Sequence, residues 1–347
     1  MTAFPEGTPG TGIVGVGSHL PSQVVSNSVV AARAGVTPEW IVRKTTIRER
    51  RYAGQYEATS DLAVKAAEAA LADAGITADQ LGWVLVATST PDQPQPATAC
   101  LVQHQIGAHR AAAFDINAVC AGFVFALAAG ARLMSGTGGY GLVIGADVYS
   151  RIIDPSDRKT AILFGDGAGA VVLGPVPRDR GFVGGGMSSR GDLSGLIRVE
   201  AGGSRVPASK ESVIDGSHHF RMDGRGVREF VTDQLPVAVA NVLDANGLIG
   251  DDVDHFVPHQ ANGALLADVW PLLGLGRARQ VLTVERHGNT SAASIPIALD
   301  HARRDGTFAD GDLLLLAGFG GGMSVATALI RWHGGPTAGA GGAPRAD

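Results

Sequence analysis

Asp73-Ala-Gly-Ile-Thr-Ala-Asp79-Gln-Leu-Gly-Trp-Val-Leu-Val86 leaves an Ala-rich amphipathic helical pattern, turns at glycine, and enters a strand-like apolar run. Gly247-Leu-Ile-Gly-Asp251-Asp-Val-Asp-His-Phe-Val-Pro258 does the same in the second half of the chain. One constant offset joins Gly75 to Gly247 and Asp79 to Asp251. Without a gap it also joins Asn117 to Asn289, Ala126-Leu127 to Ala298-Leu299, and the strand Leu142-Val-Ile-Gly-Ala146 to Leu314-Leu-Leu-Ala-Gly318. A register kept over so long a stretch, turn on turn and strand on strand, is the signature of an internal duplication. Helical and strand patterns alternate throughout, which argues an α/β protein of two similar halves about a pseudo-twofold axis. The first half is expected over 11–180, the second over 181–333, and the Gly/Ala/Pro-rich tail 334–347 is expected to be disordered, with a similarly loose first ten residues.

Composition narrows the function. Aromatics are 5% of the 347 residues while apolar residues reach 45%, so the core is built from Ala, Val, Leu and Gly, which suits closely layered helices and sheets. A net charge of −5 offers no electrostatic reason for a nucleic-acid or membrane partner. No leader-like opening and no apolar run of spanning length stand out, so the reading is a soluble cytoplasmic protein. The two cysteines, Cys100 and Cys120, form neither a disulfide framework nor a zinc spacing, and no metal site is expected.

Cys120 lies between a strand and a long apolar helix, in Phe114-Asp-Ile-Asn-Ala-Val-Cys-Ala-Gly-Phe-Val-Phe-Ala-Leu. A thiol at a helix start is biased toward the thiolate by the dipole and the free N–H groups. A buried core cysteine is the other reading, and the one that suits Cys100. His259 ends the strand His255-Phe-Val-Pro-His, where α/β proteins open their ligand crevices, although a structural histidine fits equally well. Asn289, in His287-Gly-Asn-Thr-Ser-Ala-Ala-Ser294, is either a helix cap or the second half's counterpart of the cysteine turn. Pseudo-twofold packing would bring Cys120, Asn289 and His259 to one crevice. The glycine runs Gly12-Ile-Val-Gly-Val-Gly17, Gly165-Asp-Gly-Ala-Gly169 and Gly318-Phe-Gly-Gly-Gly322 lack a dinucleotide fingerprint. The last would let a backbone N–H reach a reacting carbonyl.

Asn117-Ala-Val-Cys-Ala-Gly-Phe123, Val257-Pro-His-Gln-Ala-Asn262 and His287-Gly-Asn-Thr-Ser-Ala-Ala-Ser294 resemble the three active-site motifs of the β-ketoacyl-[acyl-carrier-protein] synthase III family. Glu39-Trp-Ile-Val42, Ile47-Arg-Glu-Arg50, Phe164-Gly-Asp-Gly-Ala-Gly-Ala170 and Gly318-Phe-Gly-Gly-Gly322 extend the resemblance over roughly residues 12 to 332, in the family's order and spacing. It implies a five-layered αβαβα thiolase-like fold, a homodimer, and catalysis by Cys120, His259 and Asn289. By the same resemblance the backbone N–H groups of Cys120 and Gly321 form an oxyanion hole, Trp40, Lys44 and Arg158 hold the nucleotide end of coenzyme A, and Asn262 lies beside its pantetheine arm. Coenzyme A thioesters are then substrates, and no cofactor is permanently bound. An acyl group from acyl-CoA would load onto Cys120 and condense with a malonyl thioester on a carrier protein or on coenzyme A.

Departures point to a specialised paralogue that primes a polyketide or a fatty acid. Lys44 replaces an arginine common in the family, and an ammonium does not reproduce bidentate phosphate contact. Gln95 replaces a common Phe at the tip that closes the partner subunit's acyl pocket. Ala264, Glu229, Pro271 and Leu272 stand where fatty-acid enzymes carry basic residues that dock an acidic carrier. A degradative thiolase is disfavoured because Gly318–Met323 lacks a cysteine, and a two-histidine synthase because Asn289 fills the third motif. The rivals left are a same-fold acyltransferase passing the acyl group to a hydroxyl, amine or carrier without forming a carbon–carbon bond, and a catalytically silent partner subunit.

Overall fold

The computed structural model describes residues 10–134 and 138–334. The expected disordered tail lies, beyond Gly334, outside the described residues, as do residues 1–9; Gly10, read as part of a loose terminus, instead opens a strand.

The first half runs β1 (Gly10–His19), β2 (Gln23–Ser26), α1 (Asn27–Ala34), α2 (Pro38–Thr45), β3 (Glu49–Tyr52), α3 (Thr59–Ala74), β4 (Leu81–Ala87), α4 (Thr98–Gln105), β5 (Ala112–Ile116), α5 (Gly122–Met134), β6 (Tyr140–Asp147) and β7 (Gly167–Val176). The chain then continues through β8 (Gly181–Ser189), β9 (Ile197–Arg198), α6 (Lys210–Ile214), β10 (Arg221–Met222), α7 (Gly224–Asp244), β11 (His255–Pro258) and α8 (Gly263–Val269). It ends with β12 (Arg279–Gln280), α9 (Val284–His287), α10 (Ser294–Arg304), β13 (Leu313–Gly320) and β14 (Ser324–Arg331).

Two five-stranded sheets carry the fold, in the orders β1-β7-β6-β4-β5 and β8-β14-β13-β11-β12. In each, the first three strands pair antiparallel and the last three parallel, so one sheet repeats the other strand for strand. The chain crosses from one sheet to the other between Val176 and Gly181. α5 and α10 fill the space between the sheets in a core that includes Phe123, Leu127, Ile295 and Leu299. α3 and α4 cover the outer face of the first sheet, α7 and α8 that of the second. The result is a five-layered αβαβα sandwich, the thiolase-like α/β fold.

The glycines of Gly12-Ile-Val-Gly-Val-Gly17 serve packing. A Cβ on Gly17 would stand 2.3 Å from the backbone nitrogen of Ala70, so their absence of side chains lets α3 lie directly on β1. Small residues on the α3 side of the contact, Ala66, Ala67, Ala70 and Ala74, complete it.

The constant offset survives through the central helices and then slips. Val119 and Ser291, which it equates, are both non-glycine residues at positive φ (48° and 50°), so the two turns are backbone copies of each other. Strand β13 departs. Leu85 pairs with Val143 in the first sheet, but its counterpart Val257 pairs with Leu316 rather than Leu315. The ungapped pairing of Leu142–Ala146 with Leu314–Gly318 is therefore one residue out of register. In a strand, one residue exchanges the two faces: Val143 faces the central layer, as do Leu314 and Leu316, while Leu315 faces out. An extra residue between α10 and β13 absorbs the slip.

The halves touch where Gly145 of β6 crosses the Ser291–Ala293 turn; a Cβ there would stand 2.2 Å from the Ala292 carbonyl oxygen. Gly145→Ala is expected to cost about 1–3 kcal/mol by overpacking and to displace the Asn289–Ala293 turn. Denaturant melts together with acylation of Cys120 check this; wild-type stability and activity would show that the seam has room.

Candidate active site

β5 leads through Asn117 into the short turn Val119–Ala121, and α5 begins at Gly122, so Cys120 stands at the N-terminal end of a long helix. It is only 6% exposed. β11 ends at Pro258 and delivers His259, whose N–H donates to the Ala317 carbonyl at 2.8 Å. Asn289 forms a β-bridge with Phe164: its N–H donates to the Leu163 carbonyl (2.8 Å) and its carbonyl accepts from Gly165 (3.0 Å). All three side chains line the floor of one cavity of about 630 Å³.

The mouth and walls of this cavity contain most of the other expected residues. Trp40 and Lys44 reach it from α2, Arg158 from the segment before Phe164, and Asn262 from the start of α8. Asn262 has a structural duty as well, since its Oδ1 caps α8 by accepting from Ala264 and Leu265. Gln95 is exposed between β4 and α4 and does not line the cavity of its own chain. Gly321 stands over Val119 and Ile197; Gly320 is the residue that meets Cys120, with room for no Cβ because Cys120 Cβ would lie 2.7 Å away. The apolar walls Ile162, Phe220, Met222 and Phe319 were not singled out by sequence, since only the folded chain brings them together. Ser291 and Ser294 went unnoticed as more than small residues in a motif.

Burial governs the electrostatics. His259 is 1% exposed, and loss of solvent pushes its pKa down to about 3, so the ring is neutral at neutral pH. Its Nδ1 lies 2.8 Å from Ser294 Oγ, and the ring also hydrogen-bonds the Ser291 backbone carbonyl. Burial also pushes the Cys120 thiol up to about 12, a hydrogen bond from Ser291 pulling it down and the nearby Asp147 carboxylate pushing it further up. This overturns the expectation of a resting thiolate. The helix start is present, but desolvation outweighs what the dipole contributes. Asn289 Oδ1 accepts from the Ser291 N–H at 2.8 Å. The capping role and a place in the cavity thus coexist, with the amide NH₂ as the end left to meet substrate. Cys100, expected in the core, is exposed on α4.

A family model described as 3-Oxoacyl-[acyl-carrier-protein (ACP)] synthase III matches residues 114–191, and its C-terminal counterpart matches residues 243–332. An acetoacetyl CoA synthase of Streptomyces sp. (strain CL190) is 54% identical over 92% of this chain and 98% of that protein. The chain belongs to the 3-oxoacyl-[acyl-carrier-protein] synthase III family. A synthase III of Bradyrhizobium diazoefficiens is 47% identical over 92% of the chain and 98% of its own length. Among solved structures, the priming β-ketosynthase of the R1128 polyketide pathway aligns with TM-score 0.85 at 33% identity, covering 94% of this chain and 97% of that one. This synthase III therefore is an acyltransferase of the ketosynthase type. No helix among its described residues is long and apolar enough to cross a membrane.

His287 sits beside the floor with both ring nitrogens buried and unpartnered, and burial, aided by the His301 and Arg286 charges, lowers its pKa to about 4. Between the unfolded value near 6.5 and that native value, the unfolded chain binds a proton that the native chain does not. Stability is therefore complete above about pH 6.5 and falls as pH falls, by up to about 1.4 kcal/mol per unit for each such histidine. His287→Phe, which sacrifices no hydrogen bond, should hold stability at pH 7 and flatten this acid slope; urea melts at pH 7, 6 and 5 measure it. An unchanged slope would remove His287 from the account.

Proposed function

We propose that the protein takes an acyl group from an acyl-CoA onto Cys120 and condenses it decarboxylatively with malonyl-CoA, priming a polyketide or a fatty acid in the cytoplasm. The observation that carries the reading is the convergence of Cys120, His259 and Asn289 on the floor of one cavity whose mouth holds Trp40, Lys44 and Arg158. In loading, the Sγ–acyl bond forms as the bond to the coenzyme A sulfur breaks, which divides one difficult step into two. The acyl oxygen is served by backbone N–H groups, those of Cys120 and Gly321, at the point where Gly320 lets β13 pass against the sulfur. A malonyl thioester then loses carbon dioxide, and its electron pair passes onto the thioester oxygen. The neutral His259 Nε2–H and the Asn289 NH₂ are preorganised donors for that charge in a dry site. The resulting carbanion attacks the acyl carbon, and Sγ departs.

Free coenzyme A thioesters are favoured over a generic carrier protein as the source of malonyl. The arginines of α7 that could replace a lost docking patch, Arg228 at the cavity and Arg225 beside it in sequence, already have partners: Arg225 pairs with Glu229 at 3.0 Å and Arg228 with Asp268 at 2.6 Å. Ala264, Pro271 and the exposed Leu272 add no charge. The relative named for making acetoacetyl CoA supports the same choice. A homodimer is proposed as well, with β5 as an unpaired sheet edge carrying the exposed Phe114 and Gln95 nearby on the same half; light scattering giving a monomer would refute it.

Mass spectrometry after exposure to acyl-CoAs should find the acyl group on the Cys120 peptide alone, and on nothing in Cys120→Ala. Asn289→Ala should still be loaded while malonyl decarboxylation slows about 10²–10³-fold, as for loss of one oxyanion donor; condensation near the wild-type rate would leave Asn289 only its capping role. Malonyl-CoA should outperform a malonyl carrier protein. Fast carrier-dependent condensation that collapses as salt rises would show a working docking patch instead.

A further inference from the structure

Ser291 is fully buried two residues beyond Asn289, and its Oγ lies 3.5 Å from Cys120 Sγ. Its φ of 50° is one that a residue with a Cβ adopts at some cost and glycine adopts freely.

The frame around that hydroxyl is rigid. The Ser291 N–H donates to Asn289 Oδ1 at 2.8 Å, and the next N–H, of Ala292, donates to Asp147 Oδ2 at 3.1 Å. Asp147 Oδ1 in turn collects the N–H groups and hydroxyls of Ser89 and Thr90. The Ser291 hydroxyl also hydrogen-bonds the Asp147 carboxylate. Its single proton therefore has three acceptors in reach, the Cys120 sulfur, the Asp147 carboxylate and the Tyr149 oxygen. While Cys120 is a thiol, S–H can donate to Oγ and the serine proton can point to Asp147. Once the sulfur is negative, the serine proton gains more by turning to it, since charge-assisted hydrogen bonds are the stronger kind.

We propose that Ser291 is a further catalytic residue, donating a hydrogen bond to the Cys120 sulfur whenever that sulfur carries negative charge. The proposal rests on Cys120 being the nucleophile. In loading, Sγ–C forms, the coenzyme A S–C bond breaks, and the Cys120 proton ends on the departing coenzyme A thiol. In condensation, C–C forms from the pair released with carbon dioxide, Sγ leaves with the electrons of the Sγ–C bond, and water returns its proton. Ser291 keeps its own proton throughout. Of the other groups facing the sulfur, Asp147 from β6 opposes its negative charge. Tyr149 just beyond β6 hydrogen-bonds Ser89 Oγ at 3.0 Å and also the Ser291 hydroxyl, and His259 is neutral.

The test uses Ser291→Ala, which removes only the hydroxyl oxygen, and Ser291→Gly, which removes the whole side chain but adopts the positive φ freely, both in a Cys100→Ser background that silences the exposed thiol. Alkylation of Cys120 by iodoacetamide is followed from pH 6 to 10 by peptide mass, and loading from acetyl-CoA or longer acyl-CoAs in parallel. Both variants should alkylate about tenfold more slowly at pH 8, with the profile moved about one unit to higher pH, and should load more slowly by a similar factor at unchanged KM. An unchanged profile in Ser291→Gly, or slowing in Ser291→Ala alone, overturns the role and traces any effect to the backbone. Alkylation needs no acyl donor, so the two failures separate. A wild-type enzyme that accepts no acyl group sinks the condensing function, whereas intact loading with an unchanged Ser291→Gly profile sinks only the assignment of Ser291.

Discussion

Everything in this molecule depends on how closely its two halves approach along the central seam. Gly145 lies against the backbone of Ala292, Gly320 against Cys120, and Gly122 between Ala87 and Ala292. No side chain separates the turn that carries Cys120 from the turn that carries Asn289 and Ser291. Only that proximity lets Ser291 Oγ reach Cys120 Sγ and lets the Ala292 N–H reach Asp147. The large apolar core around α5 and α10 holds the sheets together, but it is the absence of Cβ atoms at the seam that sets the distances on which chemistry depends.

The architecture was largely legible in the sequence because duplication writes the same turn chemistry twice. Gly75 and Gly247 both end helices at positive φ, and the offset that joins them also joins Val119 to Ser291. It failed at β13, where runs of leucine on both faces, Leu313 to Leu316, look the same one residue either way. Periodicity cannot fix the register of a strand buried on both sides. The meeting of Cys120, His259 and Asn289 in one cavity was foreshadowed by their motifs, and the mouth residues followed from the same resemblance. What escaped was long-range: Phe220 and Met222, and Asp147 beneath the floor, owe their places to contacts between distant segments. The thiol's ionisation escaped for a related reason, since a helix start is visible in sequence while depth of burial is not.

The floor of the cavity is neutral at rest. Burial drives the His259 ring to its uncharged form and the Cys120 thiol to its protonated one, and it raises even Asp147, which a set of short hydrogen bonds pulls back. Under the proposed mechanism, charge at this site is transient, appearing on sulfur or on the enolate oxygen as the reaction creates it. The floor is accordingly built from donors already in place, the amide of Asn289, the imidazole N–H of His259 and the hydroxyl of Ser291, rather than from fixed ions. In a region closed to water such dipoles act strongly and need no reorganisation.

The contrast between floor and walls has a consequence for how such an enzyme diversifies. At Gly145 a single added methyl collides with main chain, and at Gly320 with the Cys120 Cβ, clashes that no neighbouring rotamer can relieve. The walls are Ile162, Phe220, Met222 and Leu265, side chains that can be exchanged for others of different size without moving backbone. New acyl specificities are thus accessible through wall substitutions, each compatible with an unaltered catalytic apparatus, whereas the seam admits almost no drift. Libraries aimed at altered substrates belong on those walls and on the mouth around Trp40 and Lys44. The glycines beneath form the keel on which such variants are built.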